Sequence, residues 1–179
     1  MTSAPTAPLE ASDPQRAQTL KRKVLDRITD VRRHLNALHA AMAVFGEDFD
    51  VDVFQAEFDS EDPEELNRVE AVERGVDQLY NYMVELAAFG LELAGERHRF
   101  DETNARRDLD ALARLGVISR ERAVRLQRLR EYRRLFVHEY ASATAAQVHE
   151  AARILADELP PFYRAYGEWV RAGFRRPAN

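Results

Sequence analysis

A single long apolar stripe near the start of the chain most constrains how the chain can fold. Between residues 20 and 45, apolar side chains recur at alternating intervals of three and four, the spacing of one face of an α-helix. The members of the stripe are Leu20, Val24, Ile28, Val31, Leu35, Leu38, Met42 and Phe45. Asp13 and Pro14 read as an N-cap followed by proline in the first turn, and Gly46 ends the pattern. A stripe of this length predicts a helix buried against its neighbours or against a second copy of the chain.

A second helix of similar length is predicted after an acidic connector. It opens at Asp62 and Pro63, and its stripe consists of Val69, Val72, Val76, Leu79, Met83, Leu86, Gly90 and Leu93. Glycines at 75, 90 and 95 cost about 1 kcal/mol each relative to alanine, but they can let a neighbouring helix approach closely. In the connector, residues 47 to 61, the run VDVFQAEF alternates briefly. Because no partner strand is evident, this run favours a turn of helix or a loop.

Three further helices complete the pattern. The first covers residues 104 to 115 and stops at Gly116, and the next runs from Arg120 to about residue 139 with Ser119 as its N-cap. Thr144 and Gln147 form the capping box of the last helix, in which two successive prolines, 160 and 161, are expected to cause a kink or an interruption. The sum is an all-α bundle of four to five helices.

Composition bounds the domain organisation and the chemistry. With 179 residues, 45% hydrophobic and 32% charged, the chain fits one soluble helical domain, predicted at residues 13 to 173 with a tail at 174 to 179. Residues 1 to 12, rich in Ala, Pro, Ser and Thr, are predicted to be a disordered lead-in and lack the form of a signal peptide. The absence of cysteine excludes disulfides, thiolate metal sites and cysteine nucleophiles. No apolar run suits a membrane span, so a cytoplasmic protein is expected.

Charge is unevenly distributed along the chain, which has a net charge of -5. Residues 47 to 65 include ten acidic side chains and no basic one, which indicates either a solvated loop or a surface that meets a basic partner. Residues 120 to 134 include seven arginines and two glutamates. Within this run, residues 120 to 130 form either a solvated helix face or a contact surface for an RNA backbone, and Arg130 and Arg134 are the candidate RNA-contacting residues.

The run RRLFVHEY, residues 133 to 140, carries the candidate catalytic residues. The separation of Arg133 from His138 is weak on its own, because Arg33 and His39 have a similar one and chance supplies about two such matches in an arginine-rich chain. The added Tyr140 makes the pattern more specific. His138 can act as a base near neutral pH, since an unperturbed histidine has a pKa of about 6.5, and Arg133 can pair with a charged phosphorane. No acidic cluster beside the motif suggests a catalytic metal.

The spacing of the motif raises a geometric problem. On a regular helix, Arg133 and His138 are about 140° apart and cannot both face one phosphate. Either the helix loosens near His138 or the pocket combines residues from two chains. Arg134 lies one turn before His138, and a nearby guanidinium should lower the histidine pKa and keep the ring neutral.

Three segments in the same order make the chain resemble the HepT-type toxins of the HEPN superfamily. RRLFVHEY is similar to the family motif R-N-x-x-x-H-x-Y. Ahead of it, DLDALARLGVISRERAVRLQRLREY resembles the short helix, glycine turn and helix that precede this motif, and ILADELPPF resembles the I-x-x-D-L-P ending of the last helix. The resemblance covers residues 22 to 170.

The resemblance implies a fold, an activity and a partner. These toxins are helical, dimeric, metal-independent endoribonucleases, and it implies catalytic roles for Arg133 and His138 without a cofactor. It further implies a minimal nucleotidyltransferase antitoxin that attaches AMP at Tyr140. The chain departs from the family at Arg134, where asparagine is usual. Two alternatives therefore stay open: a non-catalytic helical module that docks with or presents substrate to a nucleotidyltransferase, and a purely structural helical dimer.

Overall fold

The computed structural model describes residues 8 to 98, 104 to 138 and 143 to 175, and for residues 133 to 138 it describes the backbone alone. These residues form seven helices and no strand. The helices are α1 (Leu9–Ser12), α2 (Pro14–Ala43), α3 (Val51–Phe58), α4 (Pro63–Leu93), α5 (Ala105–Arg114), α6 (Arg120–His138) and α7 (Ala145–Arg171). The all-α prediction is confirmed, and the five helices of ten or more residues lie where the sequence patterns place them.

The predicted caps explain where the long helices begin. The carboxylate of Asp13 accepts a 3.0 Å hydrogen bond from the backbone N–H of Arg16, and Asp62 accepts one of 2.7 Å from that of Glu64. Thr144 starts α7 with the full reciprocal capping box. Each contact satisfies an N–H group that has no partner inside its own helix, which fixes the first residue of the helix.

Short elements and the last helix add detail to the predictions. The acidic connector contains α3, so the helical alternative is confirmed there, and the completely buried Phe54 anchors it. Residues 9 to 12 of the predicted lead-in are also helical. The expected interruption of α7 at Pro160 and Pro161 is wrong, because the helix continues through both prolines. Buried residues on both sides, Leu159 and Phe162 among them, hold the helix in one piece despite its missing N–H groups.

The two longest helices, α2 and α4, pack against each other in antiparallel directions. Arg16 at the start of α2 pairs with Glu92 at the end of α4, and Leu38 near the end of α2 packs on Gly75 in the first half of α4. Five of the eight stripe residues, Leu20 and Val24 among them, are buried, and Ile28, Leu35 and Met42 are half-buried against the core. One chain therefore covers most of the stripe by itself, and its length gives no reason to require a second copy.

Helix α7 packs against α4 and approaches it closely at Gly90. The Tyr166 hydroxyl donates a 2.6 Å hydrogen bond to the carbonyl of Leu86, and a Cβ added to Gly90 would lie 2.5 Å from that hydroxyl and 2.6 Å from the Trp169 ring. Burial raises the pKa of Tyr166 well above its ordinary value. The close approach predicted for a glycine of α4 is confirmed at this position.

Candidate functional site

The candidate motif lies at the C-terminal end of α6, a helix held between α5 and α7. Gly116 adopts a φ of +79° in the turn before α6, and the Ser119 hydroxyl accepts a 3.1 Å hydrogen bond from the backbone N–H of Arg122. These two residues end α5 and begin α6 as the sequence predicts. Ala123, Leu126 and Leu129 form the buried face of α6. The core thus fixes the helix up to the residues just before the motif.

Of the motif, the structure describes only the backbone of residues 133 to 138. Helix α6 is α-helical through His138, so the separation between Arg133 and His138 is a helical one and the backbone does not loosen ahead of His138. The side chains of Arg133, Arg134 and His138, and Tyr140 as a whole, lie outside the described residues. The predicted roles of these four residues stay predictions.

A buried carboxylate on α7 anchors the first half of α6. The side chain of Glu158 is 8% exposed and lies 2.9 Å from Nε of Arg122 and 2.7 Å from Nε of Arg125. Each arginine meets a different carboxylate oxygen, so one glutamate neutralises two successive turns of α6. Breaking such a buried pair is costly, because it leaves a charge without a partner in a poorly solvated place.

A second carboxylate on α7 anchors the turn that leads into the motif. Tyr132 donates a 2.7 Å hydrogen bond to Oε2 of Glu150, while Nη2 of Arg128 lies 3.2 Å from Oε1 of the same glutamate. Burial, reinforced by the hydrogen bond to Glu150, raises the pKa of Tyr132 to about 12. The tyrosine is therefore a neutral donor at physiological pH. Its neighbour in the chain is Arg133.

These contacts sort the arginines of α6 into two groups. Arg122, Arg125 and Arg128 are ion-paired with carboxylates of α7. Arg120 and Arg130 are exposed, and among the described residues neither has an ion-pair partner. The sequence treated residues 120 to 130 as one face, but the first group stabilises the fold, and of the two named RNA-contact candidates only Arg130 has a described side chain.

On its other side α6 is fastened to α5. The Nε2 group of Gln127 donates to the carbonyl of Arg106 at 3.1 Å and to Oδ1 of Asp110 at 2.8 Å. Between Arg106 and Asp110 on α5, the buried Asp108 lies 3.5 Å from Nε of Arg107. Burial raises the pKa of Asp108, and this effect exceeds the lowering by Arg97 and Arg107. Gln127 thereby sets the spacing between α5 and the middle of α6.

Next to Glu150, His149 ties the start of α7 to the acidic connector. Its Nε2–H donates to the carbonyl of Phe49 at 2.7 Å, and the two rings stack with centroids 4.4 Å apart. Phe49 has a φ of +52°, an uncommon value for a bulky residue, which the hydrogen bond and the ring contact hold in place. His149 is therefore a structural residue that joins two segments of the fold.

Glu150 and Glu158 were missed in the sequence, although a signal for them exists. Both interrupt the apolar pattern of α7, and their separation of eight residues puts them on neighbouring parts of one helix face. Acidic residues at that position opposite an arginine-rich helix predict interhelical pairing.

Neither a metal site among the described residues nor a similar protein indicates a function. Within residues 8 to 98, 104 to 132 and 143 to 175, no group of three or more His, Asp or Glu side chains could hold a metal ion. Within the same part of the chain, no helix combines the length and the apolar character that a membrane span requires. Comparisons with protein-family models, curated proteins and solved structures gave no match.

Proposed function

We propose that this protein is a HepT-type endoribonuclease toxin of the HEPN superfamily, in a type VII-like toxin–antitoxin system. The observation that carries the proposal is the placement of the motif on α6, between the short α5 with its glycine turn and the long α7. These elements follow the order of the three segments that resemble the family. Two carboxylates of α7 also hold α6 rigidly up to Tyr132, as a positioned catalytic helix requires.

Catalysis would need only side chains of this chain. His138 takes the proton from a ribose 2′-hydroxyl, and the 2′-oxygen attacks the adjacent phosphorus. The bond to the 5′-oxygen then breaks, that oxygen gains a proton from water, and a 2′,3′-cyclic phosphate is left on the upstream fragment. Arg133 stabilises the negative charge on the phosphorane through paired hydrogen bonds.

A homodimer with a shared cleft fits this chemistry best. Because α6 is helical through His138, the separation of about 140° between Arg133 and His138 favours a pocket that takes one residue from each of two chains. Most of the α2 stripe is already covered within the chain. The dimer would therefore use the side of the bundle that carries the C-terminal end of α6. Light scattering at micromolar concentration should give the mass of a dimer, and a monomer would count against the shared cleft.

Regulation would act on Tyr140, two residues after His138. A minimal nucleotidyltransferase antitoxin, using ATP and Mg²⁺ bound in its own active site, would attach AMP to the tyrosine hydroxyl. The added phosphate would pair with Arg133 and occupy the site of the substrate phosphate. Co-expression should add one or more AMP units to the peptide that contains Tyr140. Tyr140→Phe should stay active and escape neutralisation, and full silencing of this variant would show that docking alone inhibits.

The ribonuclease activity is tested by incubating purified protein with RNA in excess EDTA. Wild type should cut the RNA, and His138→Ala should not, while its thermal unfolding midpoint stays unchanged. Cutting by His138→Ala, or a requirement for divalent metal, would refute the mechanism.

The alternative is a non-catalytic helical module that docks with a nucleotidyltransferase or presents a substrate to it. Arg134, in the place of the usual asparagine, is the observation that favours this alternative. Wild-type protein that binds RNA or the nucleotidyltransferase but never cuts would support it.

A further inference from the structure

We propose that Arg106 on α5 and Arg130 on α6 form a phosphate-binding pair that holds the RNA backbone beside the cleavage motif. This inference rests on the proposed function and names a part of the substrate site outside the motif. It follows from which arginines the fold has already neutralised and from how α5 is fastened to α6.

Arg106 differs from its neighbours on and near α5. Arg107 and Arg97 both reach the buried carboxylate of Asp108, each with Nε at 3.5 Å from Oδ1. Arg106 is exposed, and within the described structure no carboxylate lies within ion-pair distance of it. Its charge is therefore available to a ligand, as is that of Arg130 on the facing helix.

Arg106 and Arg130 both lie at the contact between α5 and α6 around Gln127, which we call the seam. The side-chain N–H groups of Gln127 bond to the backbone carbonyl of Arg106 at 3.1 Å and to Asp110 at 2.8 Å, so Arg106 lies directly opposite Gln127. Arg130 is three residues further along α6 and shares the Gln127 side of that helix. A hydrogen-bonded bridge between two helices thus fixes the positions of the backbone segments that carry the two guanidinium groups better than a loop would.

The seam leads toward the motif. Along the α6 axis, Arg130 precedes Arg133 by roughly 4.5 Å and His138 by roughly 12 Å, at 1.5 Å per residue. An RNA strand with one phosphate at the cleavage motif would therefore pass the seam with its neighbouring phosphates. Planar guanidinium groups suit this role, since they bond phosphate oxygens in pairs and keep their charge at every physiological pH.

Two acidic residues lie near the seam and bear on its charge. Oδ1 of Asp110 is engaged by Gln127, and the exposed Glu131 follows Arg130 but is turned by about 100° around the helix. Neither forms an ion pair with Arg106 or Arg130 within the described part of the chain. The seam itself keeps two positive charges, which favours an RNA backbone as its ligand.

The test measures RNA binding by fluorescence anisotropy with a labelled single-stranded RNA. A His138→Ala background keeps the RNA intact, and Arg106→Gln/Arg130→Gln is compared with the matched control Arg22→Gln/Arg32→Gln. Both control arginines are exposed on α2, without an ion pair among the described residues, and α2 makes no contact with α5 or α6 there. Each variant removes two positive charges from a helix surface, so the non-specific attraction between protein and RNA changes equally in both. Thermal unfolding checks that each variant folds.

The seam variant should bind about tenfold more weakly at moderate salt, and the control less than about twofold more weakly. The slope of log affinity against log salt should fall by about 1.4 in the seam variant, at about 0.7 for each lost single-strand phosphate contact. Arg106→Lys/Arg130→Lys should recover most of the slope, because lysine keeps the charge.

Equal losses in the seam variant and the control would overturn the phosphate pair, and so would a background protein that binds no RNA. The ribonuclease proposal would survive either result if wild type still cuts RNA in EDTA. Conversely, a seam-dependent slope in a protein that never cuts RNA would support the pair and refute the ribonuclease. A seam variant that loses a protein partner but not RNA would also overturn the inference.

Discussion

The hydroxyl of Tyr132 donates a 2.7 Å hydrogen bond to the carboxylate of Glu150, and this contact holds α6 against α7 immediately before Arg133. Glu150 also forms an ion pair with Arg128 of α6. The preceding residue, His149, is hydrogen-bonded to Phe49 of the acidic connector. The last described side chain before the motif is thus joined through α7 to the acidic connector. Arg133, the proposed catalytic residue, would need little further ordering next to so restrained a turn.

Tyr132→Phe should destabilise the protein by about 1 kcal/mol, because it removes one hydrogen bond to a charged acceptor while Arg128 still pairs with Glu150. Tyr163→Phe is the matched control: the Tyr163 hydroxyl is buried and has no partner among the described residues. Its removal should leave stability unchanged or raise it by up to about 1 kcal/mol. Urea unfolding measures both values, and equal losses would contradict the assigned contact.

The loss of stability caused by Tyr132→Phe should also become smaller at alkaline pH. Burial and Glu150 raise the pKa of Tyr132 from 10.0 to about 12, so the folded state holds the proton more tightly than the unfolded state. This contribution is complete below about pH 10 and is lost as pH rises toward about 12. The stability difference between wild type and variant should therefore shrink across that window. A constant difference in urea unfolding at pH 9, 10.5 and 11.5 would refute the assignment.

Glu158→Gln should cost about 2 kcal/mol, because it leaves Arg122 and Arg125 facing a neutral group at a position where the glutamate is 8% exposed. Glu121→Gln removes a carboxylate that is 78% exposed and lies 3.6 Å from Arg125, and it should cost less than about 0.5 kcal/mol. Chemical unfolding of the two variants compares them. A similar small loss in both would mean that Glu158 does not anchor α6.

Gly90→Ala should destabilise the protein by about 1–3 kcal/mol, since the new Cβ would meet Tyr166 and Trp169 at the α4–α7 contact. Gly167→Ala changes a helical glycine of α7 that has no atom within 4 Å of its added Cβ, and it should stabilise by roughly 0.5–1 kcal/mol. The opposite signs are measured by thermal unfolding. If both variants gain stability, the close approach at Gly90 is wrong.

Local signals in the sequence were sufficient to predict where the long helices begin. Asp13, Asp62 and Thr144 begin helices because their side chains satisfy N–H groups within two or three residues, so the sequence contains the whole interaction. The interruption predicted at the two prolines of α7 is wrong, because the packing that keeps this helix continuous comes from residues far away in the chain.

The candidate site could be predicted only as residue types. The sequence indicated an arginine-rich helix, but the division between arginines that pair with α7 and those left free depends on which side chains of two distant segments meet. Glu158 is 36 residues from Arg122 in the chain, and no local pattern fixes that contact. The same holds for Gln127 and Arg106, whose contact depends on how α5 turns back along α6.

We propose that Arg133 and His138 cleave RNA without a metal ion. The chemical form of the 3′ ends of the products tests this proposal most directly. RNA incubated with wild type in EDTA should yield fragments that end in a 2′,3′-cyclic phosphate, identified by mass spectrometry. His138→Ala and Arg133→Ala, each folded as wild type by circular dichroism, should yield none above background. Fragments with a 3′-hydroxyl, or cyclic ends produced equally by His138→Ala, would contradict the mechanism.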